Sequence, residues 1–374
     1  MTDKIRVLFF VTEFWQAGTQ RFTFEVDQAL DKGRFETTIL SFRSLNTIPE
    51  RPDFYYQKHL DLATQIYFLD EFSQPKKIGI FRKNANKDSL HTFLDTFDVI
   101  SFMGEYSFHK ISARLSHRHR IKSVIHIMNS KHQNPSVYKL FDITQSYYFC
   151  SGFLGDEVEE ELSIFEDYMH TYFPLCIHVS NSSPLWSFPE SDTKKIGVFT
   201  RITKTKPLDP FLFAFHLLQN QVPNIELHLF GQPDEEIERV NQAIHFLEIS
   251  NKVCLHGHVP NMKRTALEEE LSLVWFHSYY GVPGGFAGFD ITSLGIPQLF
   301  WNFTHSKKDK FDPCFPVFSD LTDFVDRSKE LLINKEKATA FSDMQFNRLI
   351  ETRNSKDHIS KLEDLYRKIK QQEK

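Results

Sequence analysis

Two segments decide the fold of this 374-residue chain: Ile5-Arg-Val-Leu-Phe-Phe-Val11 near its start and Ile196-Gly-Val-Phe-Thr200 past its middle. Each is a short apolar run that leads into a loop and then into a stretch with helical spacing of apolar residues. Ile5–Val11 is too short to span a membrane and is interrupted at once by Thr12-Glu13. We therefore predict that each run is a buried strand that opens a separate domain.

Strand-like and helix-like segments alternate in both halves of the chain. The remaining predicted strands are Thr37–Phe42, Gln65–Leu69, Asp98–Met103, Ser123–Met128, Tyr147–Cys150, Ile225–Phe230, Val253–His256, Leu273–His277 and Pro297–Trp301. This alternation predicts an α/β fold of two Rossmann-like domains with parallel sheets that helices cover on both faces. We place the domains at 1–185 and 186–352, followed by a C-terminal helix at 353–374 that is a candidate to pack back on the N-terminal domain.

Composition and charge exclude several classes of protein. A formal net charge of −5 argues against a general nucleic-acid binder, which usually carries a basic surplus. The four cysteines are scattered without CxxC spacing, so we expect a reducing compartment and no structural zinc. The chain has no segment that reads as a targeting signal. These observations predict a cytoplasmic protein.

Ligands of open parallel sheets bind beyond the carboxyl ends of the strands, so the loops after the strands are the candidate sites. Gly18, in the first such loop, would let the backbone approach an anion at a helix N-terminus, although a turn glycine needed for packing is the favoured interpretation of this motif alone. Arg201 and Lys206 follow the strand Ile196–Thr200 and would bind a diphosphate, the alternative being a solvated basic loop.

A glycine-rich loop, Tyr280-Gly-Val-Pro-Gly-Gly285-Phe-Ala-Gly288-Phe-Asp290, precedes a predicted helix. The backbone amides around Gly284, Gly285 and Phe286 would form an anion-binding nest. Asp290 would accept hydrogen bonds from ribose hydroxyls, and the alternative is an acid that stabilises the helix dipole. So many glycines in a chain with only 14 favour a function in binding.

Taken together, these motifs resemble the donor-binding domain of retaining glycosyltransferases of the GT-B fold, in the large family numbered four. The family's Arg, four residues and Lys after the first strand of this domain correspond to Arg201 and Lys206. Its strand ending in glycine corresponds to Gly231, its Gly-His-Val segment beside the base to Gly257-His258-Val259, and its Gly-Leu-Pro turn to Gly295-Ile-Pro297. The first loop, Ala17-Gly18-Thr-Gln-Arg21, is similar to the family's Gly-Gly-x-Glu-Arg turn.

The resemblance implies two domains whose sheets face a central cleft, and an enzyme that transfers a sugar from a nucleoside diphosphate donor, a UDP- or GDP-sugar, to an acceptor held by the N-terminal domain. The acceptor would be a glycan, a lipid-linked glycan or a protein. Retention of the anomeric configuration is implied as well. Neither a metal nor a cofactor would be needed, because Arg201 and Lys206 would stabilise charge on the leaving group.

The sequence departs from the family at two catalytic positions. Counting back from Pro297, the family's pair of Glu residues falls on Asp290 and Val282. Its N-domain histidine falls on Met128, for which His126 on the same strand and His132 in the next loop are the candidate substitutes. Glu105, after the strand that ends at Met103, is a further catalytic candidate.

Three alternatives stay open at this point. The basic segment 109–122 would contact an anionic membrane peripherally, at the inner face of the cell membrane, and a solvated helix face is the favoured interpretation. The non-hydrolysing nucleotide-sugar 2-epimerases share the fold, and the spacing of Arg201 and Lys206 favours the transferase. A catalytically silent GT-B partner subunit would explain Val282 and Met128.

Overall fold

The computed structural model describes residues 4–48, 52–72, 85–128, 148–151, 170–232, 236–279, 282–283, 285–303 and 312–372. The chain divides into two compact units. The N-terminal unit comprises Met1–His178 together with Arg353–Lys374, and the C-terminal unit comprises Val179–Thr352. Within the described ranges, each unit is built on its own seven-stranded sheet.

The strands described in the N-terminal unit are all parallel, in the order β3-β2-β1-β4-β5-β6-β7. The strands are β1 (Ile5–Val11), β2 (Phe35–Ser41), β3 (Gln65–Phe68), β4 (Val99–Phe102), β5 (Ser123–Ile127), β6 (Tyr148–Ser151) and β7 (His170–Tyr172). Its helices are α1 (Gly18–Ala29), α2 (Tyr56–Asp61), α3 (Ala85–Leu94), α4 (Glu105–Ile111) and α5 (His117–Arg120), with short 3-10 turns at Leu69–Phe72 and Ser112–Arg114.

The C-terminal unit repeats this architecture. Its strands are β8 (Lys194–Phe199), β9 (Ile225–Phe230), β10 (Val253–Gly257), β11 (Leu273–Tyr279), β12 (Val282–Pro283), β13 (Gln298–Asn302) and β14 (Val317–Phe318). The sheet order is β10-β9-β8-β11-β13-β14, all parallel, and β12 pairs antiparallel with β11. Its helices are α6 (Asp209–Gln219), α7 (Ile237–Phe246), α8 (Met262–Glu268), α9 (Gly285–Thr292), α10 (Leu321–Ile333) and α11 (Lys335–Arg353).

The two faces of the C-terminal sheet carry separate apolar cores, which is why its strands are apolar on both sides. On one face Trp275 is fully buried against Phe211 and Phe324, and its indole N–H donates to Ser328 Oγ at 3.1 Å. On the other face Phe276 stacks on Phe300 with ring centroids 6.1 Å apart. Packing on both faces therefore holds these strands in place, and the loops at their carboxyl ends carry the candidate binding residues.

The last helix, α12 (Ser355–Gln372), belongs to the N-terminal unit and contacts α1 and β1. Glu363 ties it down, since its carboxylate accepts from the Asp31 backbone N–H at 3.1 Å and from Arg34 Nη2 at 3.0 Å. Lys370 Nζ lies 3.1 Å from Asp98 Oδ2. The charged residues of this helix therefore make specific contacts with the sheet and helices of the N-terminal unit.

The fold class is confirmed, and most of the predicted elements begin and end within two residues of those observed. The predicted strand Ile5–Val11 and the predicted strand Ile225–Phe230 coincide with β1 and β9. The sequence did not predict α2, α3, α5, β7, β12 or β14. The spacing of apolar residues between about 152 and 164 predicts one more helix, and that stretch lies outside the described residues.

Candidate functional site

Three strands of the C-terminal unit end close together at the edge of the sheet. Thr200 N–H donates to Phe230 O at 2.9 Å, and Gly231 N–H donates to Gly257 O at 2.8 Å. A Cβ at Gly231 would lie 1.7 Å from the Thr200 carbonyl oxygen, so only glycine fits there without a backbone shift. Gly257 has φ +70°, in the left-handed region that favours glycine. Glycines therefore allow β8, β9 and β10 to converge where the candidate residues begin.

Arg201 and Lys206 both lie in the loop after β8. The Arg201 side chain is exposed. The Lys206 N–H donates to Thr203 O at 2.9 Å, which turns the chain back, and its side chain is half-buried. Burial lowers the pKa of Lys206, and the charge of Arg201 lowers it further. The two cations therefore belong to one short loop at the carboxyl end of β8, near enough for the charge of Arg201 to affect the pKa of Lys206.

His277 is a residue of this region that the sequence analysis missed. It lies near the end of β11, is buried, and its Nε2 contacts the Pro207 carbonyl oxygen at 2.8 Å. A carbonyl only accepts, so this nitrogen carries the proton. Burial lowers the pKa of His277 to about 4, and the Lys206 charge contributes to that shift. The neutral ring anchors the loop that carries Lys206.

The glycine-rich loop leads directly into α9. Gly285 has φ +59°, and a Cβ there would meet no heavy atom within 4 Å, so its backbone is open to a ligand. Phe286 and Asp290 are half-buried, and Asp290 lies in the second turn of α9. Gly284 lies outside the described residues. Along the same sheet edge, His258 is exposed and Val259 packs partly against the core below it.

In the N-terminal unit, the loop after β1 presents the start of α1. Gly18 is exposed, a Cβ there would meet no heavy atom within 4 Å, and Ala17, which precedes the helix, offers no side-chain cap. Beside it, Gln20 Nε2 donates to Glu13 Oε1 at 2.7 Å, and Arg43 Nε lies 3.6 Å from Glu13 Oε2. The sequence analysis did not single out Glu13, Gln20 or Arg43, because their proximity depends on the pairing of β1 with β2.

Glu105 begins α4, directly after Gly104 at the end of β4. It is almost fully buried, and its Oε2 accepts from the Met128 backbone N–H at 2.9 Å. Gly104 has φ +100°, and a Cβ there would lie 3.2 Å from Thr19 Cγ2 and 3.6 Å from Met128 Cγ. Glu105 thus ties the loop after β5 to the loop after β4. His132 lies outside the described residues.

His126 lies in the core of the N-terminal unit. It has no exposed surface, its Nε2 lies 2.9 Å from Ser101 Oγ, and Ser101 Oγ lies 3.0 Å from the Tyr366 hydroxyl of α12. Its ring packs against Phe22 of α1. Burial lowers the pKa of His126 to about 3, so the ring is neutral. This is the environment of a packing residue, and His126 is therefore left out of the candidate site.

The basic segment 109–122 is not a uniform cationic surface. Lys122 is buried and its Nζ donates to Phe97 O at 2.6 Å, while His119 is buried with Nε2 2.9 Å from Asp95 Oδ1. Arg118 is exposed and lies 3.6 Å from the same carboxylate. The charges that face solvent are therefore fewer than the sequence indicates. Among the described residues no helix is long and apolar enough to cross a membrane.

Known proteins match this chain by structure and not by sequence. No protein-family model matches the sequence, and no curated protein sequence matches it. Among solved structures, TarM of S. aureus has a TM-score of 0.73 at 12% sequence identity, covering 98% of this chain and 99% of TarM.

Two further solved glycosyltransferase structures match along nearly the whole chain. HepE of Anabaena, solved with UDP and glucose, has a TM-score of 0.68 at 11% identity, covering 96% of this chain and 99% of HepE. Sucrose-phosphate synthase of Thermosynechococcus elongatus has a TM-score of 0.64 at 10% identity, with 98% and 99% covered. These proteins share the GT-B fold. The chain therefore has the fold of GT-B glycosyltransferases, with one Rossmann-like domain in each unit.

Proposed function

We propose that this protein is a glycosyltransferase that uses a nucleoside diphosphate-sugar as its donor. The observation that carries the proposal is the pair Arg201 and Lys206, two cations of the short loop that follows β8 at the carboxyl edge of the C-terminal sheet. A diphosphate carries the charge and the oxygens that match both groups.

The donor would bind along the edge of the C-terminal sheet. Arg201 would offer its planar fork to two phosphate oxygens, and Lys206 a point charge to the leaving diphosphate. The open backbone at Gly285 and the start of α9 would contact the other phosphate oxygens, and the half-buried Asp290 would accept from the ribose hydroxyls. Gly231 and the segment of His258 and Val259 would border the base. With two cations at the diphosphate, transfer would proceed without a metal.

The acceptor would bind to the N-terminal unit, where the exposed start of α1 at Gly18 lies beside Glu13 and Arg43. Glycans and glycan derivatives are the acceptor class that the related structures favour, since TarM has been solved with α-GlcNAc-glycerol and UDP. Retention of configuration, as in the family that the sequence resembles, is part of the proposal. UDP is the base to test first, because HepE and TarM were both solved with it.

The test is calorimetric titration of the purified protein with UDP, GDP and ADP and with their common sugar conjugates. We expect selective binding of one nucleotide. Arg201→Ala should weaken that binding by about 1.5–3 kcal/mol, the range for a hydrogen bond to a charged group. Lys204→Ala is the matched control, because Lys204 is an exposed cation of the same loop, and it should change affinity by less than about 0.5 kcal/mol. Equal losses in the two variants would contradict a specific phosphate contact at Arg201.

A catalytically silent GT-B protein that acts as a partner subunit is the second candidate. One observation favours it: position 128, where the related family has its histidine, carries a methionine that is buried and held by Glu105. A silent partner need not bind a nucleotide-sugar. Failure of all nucleotides to bind would therefore favour this candidate over the transferase.

A further inference from the structure

A second group of polar side chains lies on one face of the C-terminal sheet, and the proposed donor site does not use it. His228 lies on β9, His256 on the neighbouring β10, and Glu269 directly after α8. His228 Nδ1 lies 2.9 Å from His256 Nε2 and 3.6 Å from Glu269 Oε2. No two of the three candidate ligand atoms are more than 4.8 Å apart.

The convergence follows from the strand register. Glu226 and His228 are two residues apart on β9, so both point to the same side of the sheet. Cys254 and His256 are two residues apart on β10, where the register shifts between Leu255 and Gly257, and the 2.9 Å between His256 Nε2 and His228 Nδ1 places His256 on that same side. Cys254 pairs directly with His228, which places the two pairs side by side. The end of α8 then brings the Glu269 carboxylate to the same point.

We propose that His228, His256 and Glu269 bind a divalent transition-metal ion, with Zn²⁺ the best match. Zinc–nitrogen and zinc–oxygen bonds of about 2.0–2.2 Å in a tetrahedron place neighbouring ligand atoms about 3.3 Å apart. The observed separations of 2.9 Å and 3.6 Å lie on either side of that value. Two neutral imidazoles and one carboxylate are a ligand set that zinc accepts, and the fourth position would hold water.

The contacts of His228 determine which of its ring nitrogens can bind a metal. Its Nε2 lies 3.1 Å from Glu226 Oε2, and an ionised carboxylate only accepts, so Nε2 carries the proton and Nδ1 presents its lone pair. Metal-binding histidines typically have such a carboxylate on the far nitrogen.

One cation competes with the proposed metal. Lys195 Nζ lies 3.5 Å from Glu269 Oε2, the oxygen that would bind the ion. A bound metal would displace this weak ion pair, and Lys195→Met should therefore strengthen metal binding. The expectation of no structural zinc rested on the scattered cysteines, and it does not bear on a site built from histidine and glutamate.

The metal would stabilise the edge of the sheet. β10 pairs only with β9 within the described sheet, and its register shifts between Leu255 and Gly257. An ion held by His228 and His256 would join the two strands to each other and to the end of α8. Because His256 precedes Gly257, the ion would also fix the turn that leads to His258. This inference does not depend on the proposed function.

The test uses the full-length protein, stripped with a chelator and then titrated with Zn²⁺ in competition with a chromophoric chelator. We expect one Zn²⁺ per chain. His256→Ala and Glu269→Gln should each lower the affinity at least about tenfold, and Glu226→Gln about 10–100-fold, the range for a residue that orients a ligand. His245→Ala, which removes an exposed histidine of α7, is the matched control and should leave the affinity unchanged.

His256 is exposed and Glu269 is half-buried, so these variants should fold even if a substitution at the buried His228 does not. Zn²⁺ should raise the Tm of the wild type and of Lys195→Met, but not that of His256→Ala. Absence of stoichiometric binding, or equal affinity in the wild type and His256→Ala, would overturn the proposal and leave a hydrogen-bond network. Loss of binding in Cys254→Ser with retention in His256→Ala would overturn it in favour of Glu226, His228 and Cys254.

Discussion

Replacement of Gly231 by alanine is expected to disrupt the C-terminal unit where β8 and β9 end. The new Cβ would lie 1.7 Å from the Thr200 carbonyl oxygen and 2.7 Å from the Thr200 carbonyl carbon. Real Cβ contacts essentially never fall below 3.0 Å, so the oxygen would have to move by about 1.3 Å, the difference between 3.0 Å and 1.7 Å. Because the obstacle is backbone, no change of rotamer relieves it.

The displacement acts on hydrogen bonds that hold the three strand ends together. Thr200 N–H donates to Phe230 O at 2.9 Å, and Gly231 N–H donates to Gly257 O at 2.8 Å. Overpacking that shifts the backbone costs about 1–3 kcal/mol, and we expect the upper half of that range because two strands must separate. Arg201 follows Thr200 in sequence, so nucleotide affinity should fall at the same time.

Urea titration followed by tryptophan fluorescence measures this loss, since Trp186, Trp275 and Trp301 lie in the C-terminal unit and only Trp15 lies in the other. Gly18→Ala is the control. A Cβ at Gly18 meets no heavy atom within 4 Å, and the residue opens a helix, so alanine should be neutral or stabilise by about 0.4–1 kcal/mol. If Gly231→Ala unfolds within about 0.5 kcal/mol of the wild type, the steric reasoning is refuted.

Two further predictions concern the N-terminal unit. Asp27 is buried, and its carboxylate accepts from Thr64 Oγ1 at 2.7 Å and lies 2.7 Å from His59 Nδ1. Asp27→Asn should therefore lower the free energy of unfolding, measured by urea titration, by about 3 kcal/mol. Asp61→Asn, at an exposed position, is the control and should change it little. Burial lowers the pKa of His126 to about 3, whereas the ring has a pKa of about 6.5 in the unfolded chain. Between these two pH values the unfolded chain binds a proton that the folded chain does not. The free energy of unfolding should therefore fall by about 1.4 kcal/mol per pH unit as the pH drops below about 6.5. His126→Leu should flatten this dependence between pH 7 and pH 5 in the same titrations, and an unchanged slope would contradict the assignment.

The strands were predictable because strands that are buried on both faces of a sheet have unbroken apolar sequences. Short or polar elements left no such signal. The helix α2, with the sequence Tyr-Gln-Lys-His-Leu-Asp, has one buried residue, His59, and so shows no apolar period. The two-residue strands β12 and β14 are too short for any period to appear. These elements are fixed by pairing and packing partners elsewhere in the chain.

The same burial hid the direction of individual side chains. All five residues of β5 are buried, so alternation of polar and apolar positions could not tell which face His126 would occupy. Arg201 and Lys206 were recognised from their spacing, but the turn that carries Lys206 depends on its hydrogen bond to Thr203 and on the anchor at His277. His277 itself sits within an apolar strand and gave no signal of its own.

The proposed metal ligands show why spacing rules miss sites built on sheets. Glu226-x-His228 and Cys254-x-His256 are visible in the sequence as two pairs, each with a spacing of two. Whether they meet depends on register, because a slip of one residue in β10 would turn Cys254 and His256 to the opposite face. Motif rules detect ligands that share a loop or a helix turn. A site that spans two parallel strands requires the pairing of Cys254 with His228, which only the folded sheet provides.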